Sequence, residues 1–401
     1  MTPAGGLTRS KRYALYLACA LEAMSYGAVY ALLVTLQRRY HIPTWGLGAI
    51  AGGTFLAQLV AQLTLAPFAD RGHSRLMLRG GAAVAAVGII WFGLADSLWQ
   101  LVLARVVLGF GSGIFIPAAL RVIITAAGDR QGRAIGYLTA VQVAGFAIGP
   151  PVAAGIYALA GLRAPFLAQG LALLACLPVL ARVTEPPFEA YRRRAPMRRL
   201  LGIRAVRSGL AIGAGLFLTI GGFEAIWARF LTDRGASTAM VAVGVTVFTA
   251  PLIVLAPLGG RLADRLGPAR VGIGGISVLP LVLAAFALHV GYWPVVAIAI
   301  GQAAVVAVCL PAGQAVIAHG SPDDLVAAGQ GLNGAVGAGT AAFGSVTTAA
   351  LYGATGSTGT WLAVAAATAV LALLALHWLP REVHATRAPD PRRSPEAAPH
   401  A

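Results

Sequence analysis

The sequence predicts an all-α membrane protein with twelve transmembrane helices in two pseudo-symmetric six-helix bundles. Three observations carry this. The first is composition: of 401 residues, 58% are hydrophobic and 11% charged, and the mean hydropathy is +0.77, whereas a soluble domain carries roughly 25% charged residues. The second is the spacing of apolar runs of about 20 residues, each long enough to cross a bilayer. The third is an internal repeat: Gly136 to Gly155, GYLTAVQVAGFAIGPPVAAG, returns 195 positions later as Gly331 to Ala350. In that register Tyr157 falls on Tyr352 and Gly161 on Gly356.

Taken in order, the spans of the first half lie near 13 to 36, 45 to 67, 77 to 95, 98 to 120, 135 to 158 and 164 to 181. Those of the second half lie near 209 to 231, 238 to 258, 271 to 289, 293 to 318, 327 to 352 and 360 to 379. This divides the chain into an N-terminal bundle (1–181), a central polar connection (182–208), a C-terminal bundle (209–380) and a tail (381–401). The connection holds the run Arg192 to Arg194 and prolines 186, 187 and 196. The tail, rich in Pro, Ala and Arg, has the composition of a disordered extension. The basic segment before the first span lacks a cleavage-like small-residue site after it, so that span is expected to be retained as a helix.

The net charge of +16 suggests a nucleic-acid partner only if the arginines share one surface, and here they fall between apolar runs without interleaved aromatics. They sort by side of the membrane instead. With the N-terminus inside, 24 basic residues lie on that side and 5 (Arg38, Arg39, Arg163, Arg229 and Arg234) on the other. The excess of Lys and Arg marks the cytoplasmic face, so both termini are expected there. Cys19, Cys176 and Cys309 each lie inside an apolar run and read as packing residues, with neither a disulfide nor a metal pattern. No cofactor is implied. The histidines lie at helix ends, in loops or in the tail, and Lys11 is the only lysine, so neither a metallohydrolase motif nor a phosphate-binding G-x-x-x-x-G-K-[ST] loop exists. An intramembrane enzyme or an ATP-driven pump is therefore disfavoured.

Two loops at equivalent places carry chemistry: APFADRGHSR from Ala66, and GRLADRLGPAR from Gly260. An Asp beside two or three Arg at a helix end can form charge-assisted hydrogen bonds and face a neighbouring helix N-terminus, a latch that holds one conformation. The alternative is solvated loop charge that serves topology alone. Twelve spans in two halves, a long basic middle loop and G-x-x-x-D-R-x-G after spans 2 and 8 resemble the major facilitator superfamily. The second loop matches through Gly260, Asp264, Arg265 and Gly267. The first keeps Asp70, Arg71 and Arg75 but has Ala66 and His73 in the glycine places. Span 4, LARVVLGFGSG, resembles the family element built on an intramembrane Arg, here Arg105. Span 5 resembles the G-x8-G-x3-G-P pattern through Gly136, Gly145, Gly149 and Pro150. That last pattern is similar to the one in twelve-helix drug:proton antiporters. The resemblance implies a proton-coupled exporter of small organic, amphipathic compounds, acting as a monomer in the bacterial inner membrane by alternating access. The alternative on the same fold is a proton-coupled importer of a sugar, organic acid or other small nutrient.

Ionised groups inside a membrane are costly, about 2.5 to 3.5 kcal/mol on insertion scales, so they face a partner or a cavity. Glu22 in span 1, Arg105 in span 4 and Glu224 in span 7 are the three clear cases. They are expected to couple protons to transport, with either glutamate as the carrier. The alternative is a permanent Glu22–Arg105 pair, with Glu224 on Arg229 or reaching outward. Tyr26 follows Glu22 by four and Trp227 follows Glu224 by three, so each shares a helix face with its carboxylate. Carboxylates and rings together suit cationic or amphipathic solutes. Gln58, Gln142, Gln302 and Asn333 are neutral polar residues within spans, candidates for substrate contact or for bonds between helices. When Pro311 is matched to Pro117, Gln302 falls on Leu108, and the second half has no counterpart of Arg105.

Overall fold

The computed structural model describes residues 9–68, 73–127, 131–183, 198–322 and 325–379. Among the described residues every regular element is helical. The first half contains α1 (Arg9–Arg39), α2 (Thr44–Phe68), α3 (Ser74–Leu94), α4 (Leu98–Ala127), α5 (Gln131–Ala160), α6 (Ala164–Ala175) and α7 (Leu177–Leu180). After the short α8 (Arg198–Leu201), the second half contains α9 (Arg204–Thr232), α10 (Thr238–Leu266), α11 (Pro268–Ala285), α12 (Tyr292–Gly320) and α13 (Val326–His377). Ten of these are each long and apolar enough to cross a membrane. In hydrocarbon the backbone has no water to bond, so helices that satisfy every peptide group internally are the form these runs must take.

Two departures from the expected spans have local causes. The sixth span is broken between α6 and α7. At Cys176 the backbone N–H turns to Leu173 O at 3.1 Å, and Pro178, in the first turn of α7, has no N–H with which to continue the ladder. The eleventh and twelfth spans run on as one 52-residue element, α13, folded at Gly356 with φ 69° and ψ −169°. A side chain is strained at that φ and glycine is not, so a single residue replaces the expected loop. Span 7 also starts earlier than its apolar run, at Arg204. The central connection from 184 to 197 and the tail from 380 onward lie outside the described residues.

The internal repeat has a packing equivalent. In the first half α5 lies on α1, where a Cβ on Gly145 or Gly149 would run into the backbone oxygens of Ala20 or Met24. In the second half α13 lies on α9 through Gly344 against Leu218, and the Ser345 hydroxyl donates to Gly221 O at 2.9 Å. Small residues let helix backbones approach closely where lipid supplies no hydrophobic drive between helices.

Arg204 Nη2 donates to His377 O at 2.6 Å, so α9 begins where α13 finishes, at the end of the bundle that also holds Arg9. The opposite, distal end is where the halves meet. Thr44 at the start of α2 packs on Gly353 of α13, and Gly48 and Gly52 lie against α13 between Ala342 and Ala349. The Thr246 hydroxyl of α10 donates to Ala147 O of α5 at 2.9 Å, and Arg229 Nη1 of α9 donates to Gln37 of α1 at 3.3 Å. Tyr30, Val34 and Ala51 of the first half are buried within the apolar core of the second.

Candidate functional site

Three helices bring the membrane-embedded charges together near that junction. On α1, Glu22, Tyr26 and Tyr30 recur every fourth residue and so lie on one face. On α4, Arg105 and Ser112 are seven residues apart, two turns along a face, or about 10 Å of rise. Glu224 comes from α9 in the other half.

Arg105 is 1% exposed, and its Nη2 donates to Glu224 Oε1 at 2.6 Å. This is an ion pair between the halves, and the Tyr30 hydroxyl lies beside the same carboxylate. The rest of the guanidinium is sparsely partnered: Nε and Nη1 make no hydrogen bond with a described residue. The Tyr26 ring sits 5.1 Å beneath it, within cation–π range, and the Tyr26 hydroxyl makes no hydrogen bond of ordinary geometry with a described residue. Two turns along, the Ser112 hydroxyl donates to the buried Glu22 carboxylate. The sequence alternative of a Glu22–Arg105 pair is thus replaced. Arg105 bonds Glu224, Glu22 bonds Ser112, and Arg229 bonds Asp233 at 2.8 Å. Glu22 and Glu224 both lie within electrostatic reach of the one arginine.

Such an arrangement stores charge at a junction. A buried pair contributes little net stability, but removing one partner costs about 3 to 5 kcal/mol because the other is stranded. Whatever neutralises Glu224 therefore destabilises the contact between halves, and Arg105 has two unoccupied donors with which to seek another acceptor.

Beside this charge ladder is a cavity of about 220 Å³ between the halves. The first half contributes Tyr30, Thr139, Val143 and Phe146 to its wall. The second contributes Ile220, Phe223, Trp227, Phe248, Gln302 and several aliphatic residues of α10 and α12. Phe223 stacks on Trp227 at 4.9 Å and on Phe248 at 5.7 Å between centroids, so the second half presents a rigid aromatic face. Two buried polar atoms there, Gln302 Oε1 and Trp227 Nε1, have no hydrogen-bond partner among the described residues. Among the described residues no carboxylate lines the cavity. Glu224 and the rings expected beside it do not share one wall here: Glu224 is turned toward Arg105.

Of the six residues expected at the substrate cavity, Trp227 and Gln302 line this one. Tyr26 belongs to the charge ladder. Gln58 and Gln142 are half-buried on α2 and α5, outside the cavity wall. Asn333 is buried against Gly213 of α9. Of the span 5 pattern, Gly136 lies in the first turns of α5, while Gly145, Gly149 and Pro150 pack on α1, where the Pro150 ring covers Gly27. In the latch loops, Asp70 and Arg71 lie outside the described residues, and Arg75 is exposed at the start of α3. Gly260, Asp264 and Arg265 lie in the last turns of α10, and Gly267 closes that helix with φ 92°. Asp264 and Arg265 are exposed and make no ion pair with a described residue.

Sequence reasoning missed Ser112 and Tyr30. Both were reachable, since each follows a singled-out charge by a whole number of turns on its own helix. It also missed Asp233, which accepts from the Tyr352 hydroxyl at 2.9 Å and pairs with Arg229 at the distal end.

Comparison with known proteins places these features in context. The family model described as Major Facilitator Superfamily matches residues 15–231 and 208–400. A protein named Multidrug resistance protein MdtG from Proteus mirabilis is 24% identical over 336 residues, 80% of this chain and 83% of that protein. Its namesake from Serratia proteamaculans is 28% identical over 312 residues, 71% and 74% of the two chains. Among solved structures, a bacterial homolog to human lysosomal transporter, Spinster, in inward-facing and occupied conformation superposes with a TM-score of 0.76 at 17% identity. That match covers 92% of this chain and 96% of the other.

Proposed function

The chain belongs to the Major Facilitator Superfamily and is a multi-pass transporter of the bacterial inner membrane, and from that premise we propose that it exports small, largely apolar organic compounds in exchange for protons. The observation that carries the reading is the buried ion pair Arg105–Glu224, made of one group from each half beside a cavity with an aromatic wall. The direction of transport draws support from relatives named for multidrug resistance. The substrate class draws support from the cavity, whose wall of Tyr30, Phe146, Phe223, Trp227 and Phe248 offers ring faces and no free charge. Aromatic faces reward planar apolar molecules by about 0.5 to 1.5 kcal/mol per ring pair beyond area burial.

Coupling follows from the stranded-charge argument. In the conformation described, the distal end is closed and Arg105 is neutralised by Glu224. When the distal end opens to release substrate, Glu224 parts from Arg105 and takes up a proton from that side, which removes the compensation and holds the end open. Glu22, within reach of the same arginine, is the second acceptor, so that one cation is shared between two acids as access alternates. Once the distal end has closed, release of that proton to the cytoplasmic side restores the pair, so a proton moves inward for the substrate moved outward.

The test is transport in everted vesicles carrying a pH gradient. Glu224→Gln is expected to reduce efflux of a lipophilic dye to the level of empty vesicles while equilibrium dye binding to the purified protein persists. Undiminished pH-driven efflux by this variant would remove Glu224 from the mechanism.

A further inference from the structure

Away from the junction, on the outer flank of the second half, α10, α11 and α12 leave an open groove of about 530 Å³ lined by Leu262, Leu266, Arg270, Val271, Gly274 and Val278 with residues of α12. From Arg270 to Val278 it follows α11 for eight residues, about 12 Å into the apolar span at 1.5 Å per residue. Its floor is open because Gly274 carries no side chain, and a Cβ there would meet no atom within 4 Å. Leu262, Leu266 and Val278 are 40%, 52% and 46% exposed, so the groove faces the surroundings of the bundle and not its core.

Among the described residues its one charged lining residue is Arg270, exposed at the mouth and without an ion pair to any of them. The last turn of α10 adds Arg261 and Arg265 to the same end of the bundle, against the one acid Asp264. Asp264 lies two positions from Leu262 and from Leu266, on the face of α10 turned away from the groove. An apolar trough about 12 Å long that ends at a cation on the membrane surface matches a molecule with a hydrocarbon chain and an anionic head. We propose that this groove seats an anionic phospholipid, with one acyl chain along Val271, Gly274 and Val278 and its phosphate on Arg270.

The position is independent of the transport cavity, so this site stands or falls separately from the exporter reading. The test uses the purified, delipidated full chain, titrated with phosphatidylglycerol or with phosphatidylcholine of the same acyl chains. Thermal midpoint and native mass spectrometry are the readouts. Phosphatidylglycerol is expected to raise the midpoint saturably, with one tightly held lipid per protein, and phosphatidylcholine is expected not to. Arg270→Gln is expected to weaken that lipid about tenfold, the loss of one charge-assisted contact. Gly274→Leu adds its Cβ in open space and fills the floor, so it is expected to stay folded and active in dye binding and to lose the saturable lipid. Equal retention of both lipids by the wild type, or unchanged phosphatidylglycerol binding in both variants, would reduce the groove to ordinary boundary-lipid contact. A wild-type dimer that Gly274→Leu converts to monomer would assign it to a second copy instead and overturn the proposal.

Discussion

The two halves descend from one repeated pattern and share its close glycine contacts, yet the second adds a large ring cluster at its core. In the first, backbones meet at glycine. A Cβ on Gly81, Gly88, Gly109, Gly111 or Gly145 would strike the main chain of a neighbouring helix. The second does the same at Gly221 and Gly344 and adds rings: Phe223, Trp227, Phe230, Phe286 and Trp361 form one cluster with centroids 4.9 to 5.9 Å apart. The charges follow the same division. The first half holds Glu22 and Arg105, while α12 of the second offers Gln302 and no cation. Glu22 bonds within its own half and Glu224 bonds across. The difference teaches that duplication supplied the frame, and that unequal specialisation supplied a charge ladder on one side, an aromatic cavity wall on the other, and one ion pair to join them.

The comparison can be broken first at the joint. Arg105→Ala strands Glu224 in the interior, and the loss of one buried partner is expected to cost about 3 to 5 kcal/mol. Thermal unfolding of the purified protein should record it, and Glu224→Gln in the same background should recover most of it. If the double variant stays as unstable as the single one, the pair is not the source of the cost.

The packing contrast is sharpened by Gly145→Leu against Thr340→Leu, which occupy equivalent places in the repeat. Gly145 lies on the Ala20 carbonyl, so leucine there is expected to cost about 1 to 3 kcal/mol by overpacking and to impair efflux or leak protons. Thr340 is half-buried and already carries a side chain, so its replacement is expected to cost less. Equal losses would mean that the halves are packed alike after all.

Smaller effects probe the cavity wall. Trp227→Ala is expected to weaken binding of an aromatic dye by up to about tenfold, the equivalent of one lost ring contact near 1.5 kcal/mol. Gln58→Leu, outside the wall, should leave dye affinity unchanged. Least of all, Gln302→Leu removes an unpaired buried acceptor and is expected to shift preference, by a few-fold, away from compounds with a hydrogen-bond donor, read by competition against the same dye.

The architecture was largely legible in the sequence, because each span must bury its whole backbone in apolar surroundings and hydropathy records that directly. The exceptions are where one residue alters the chain path: Gly356 turns two spans into one folded element, and the break at Cys176 and Pro178 splits another. Of the site, Glu22, Arg105 and Glu224 stood out as charges where charge is costly. Their pairing did not, since Arg105 and Glu224 are 119 residues apart and helical periodicity carries no information about contacts between helices. The two D-R loops were recognised by pattern, but residues 69–72 of the first, Asp70 and Arg71 among them, lie outside the described residues.

The central claim is that ionised Glu224 keeps the distal end shut, and one cross-link tests it most directly. Gly353 would place a Cβ 3.4 Å from that of Thr44 across the junction, close to the Cβ separation a disulfide requires. In Thr44→Cys/Gly353→Cys, oxidation is expected to link the halves rapidly and stop efflux, with both effects reversed by reductant. Adding Glu224→Gln is expected to slow the cross-link, because the uncompensated Arg105 pushes the distal end open. The same rate of linking with and without Glu224, or efflux that continues in the linked protein, would contradict the account.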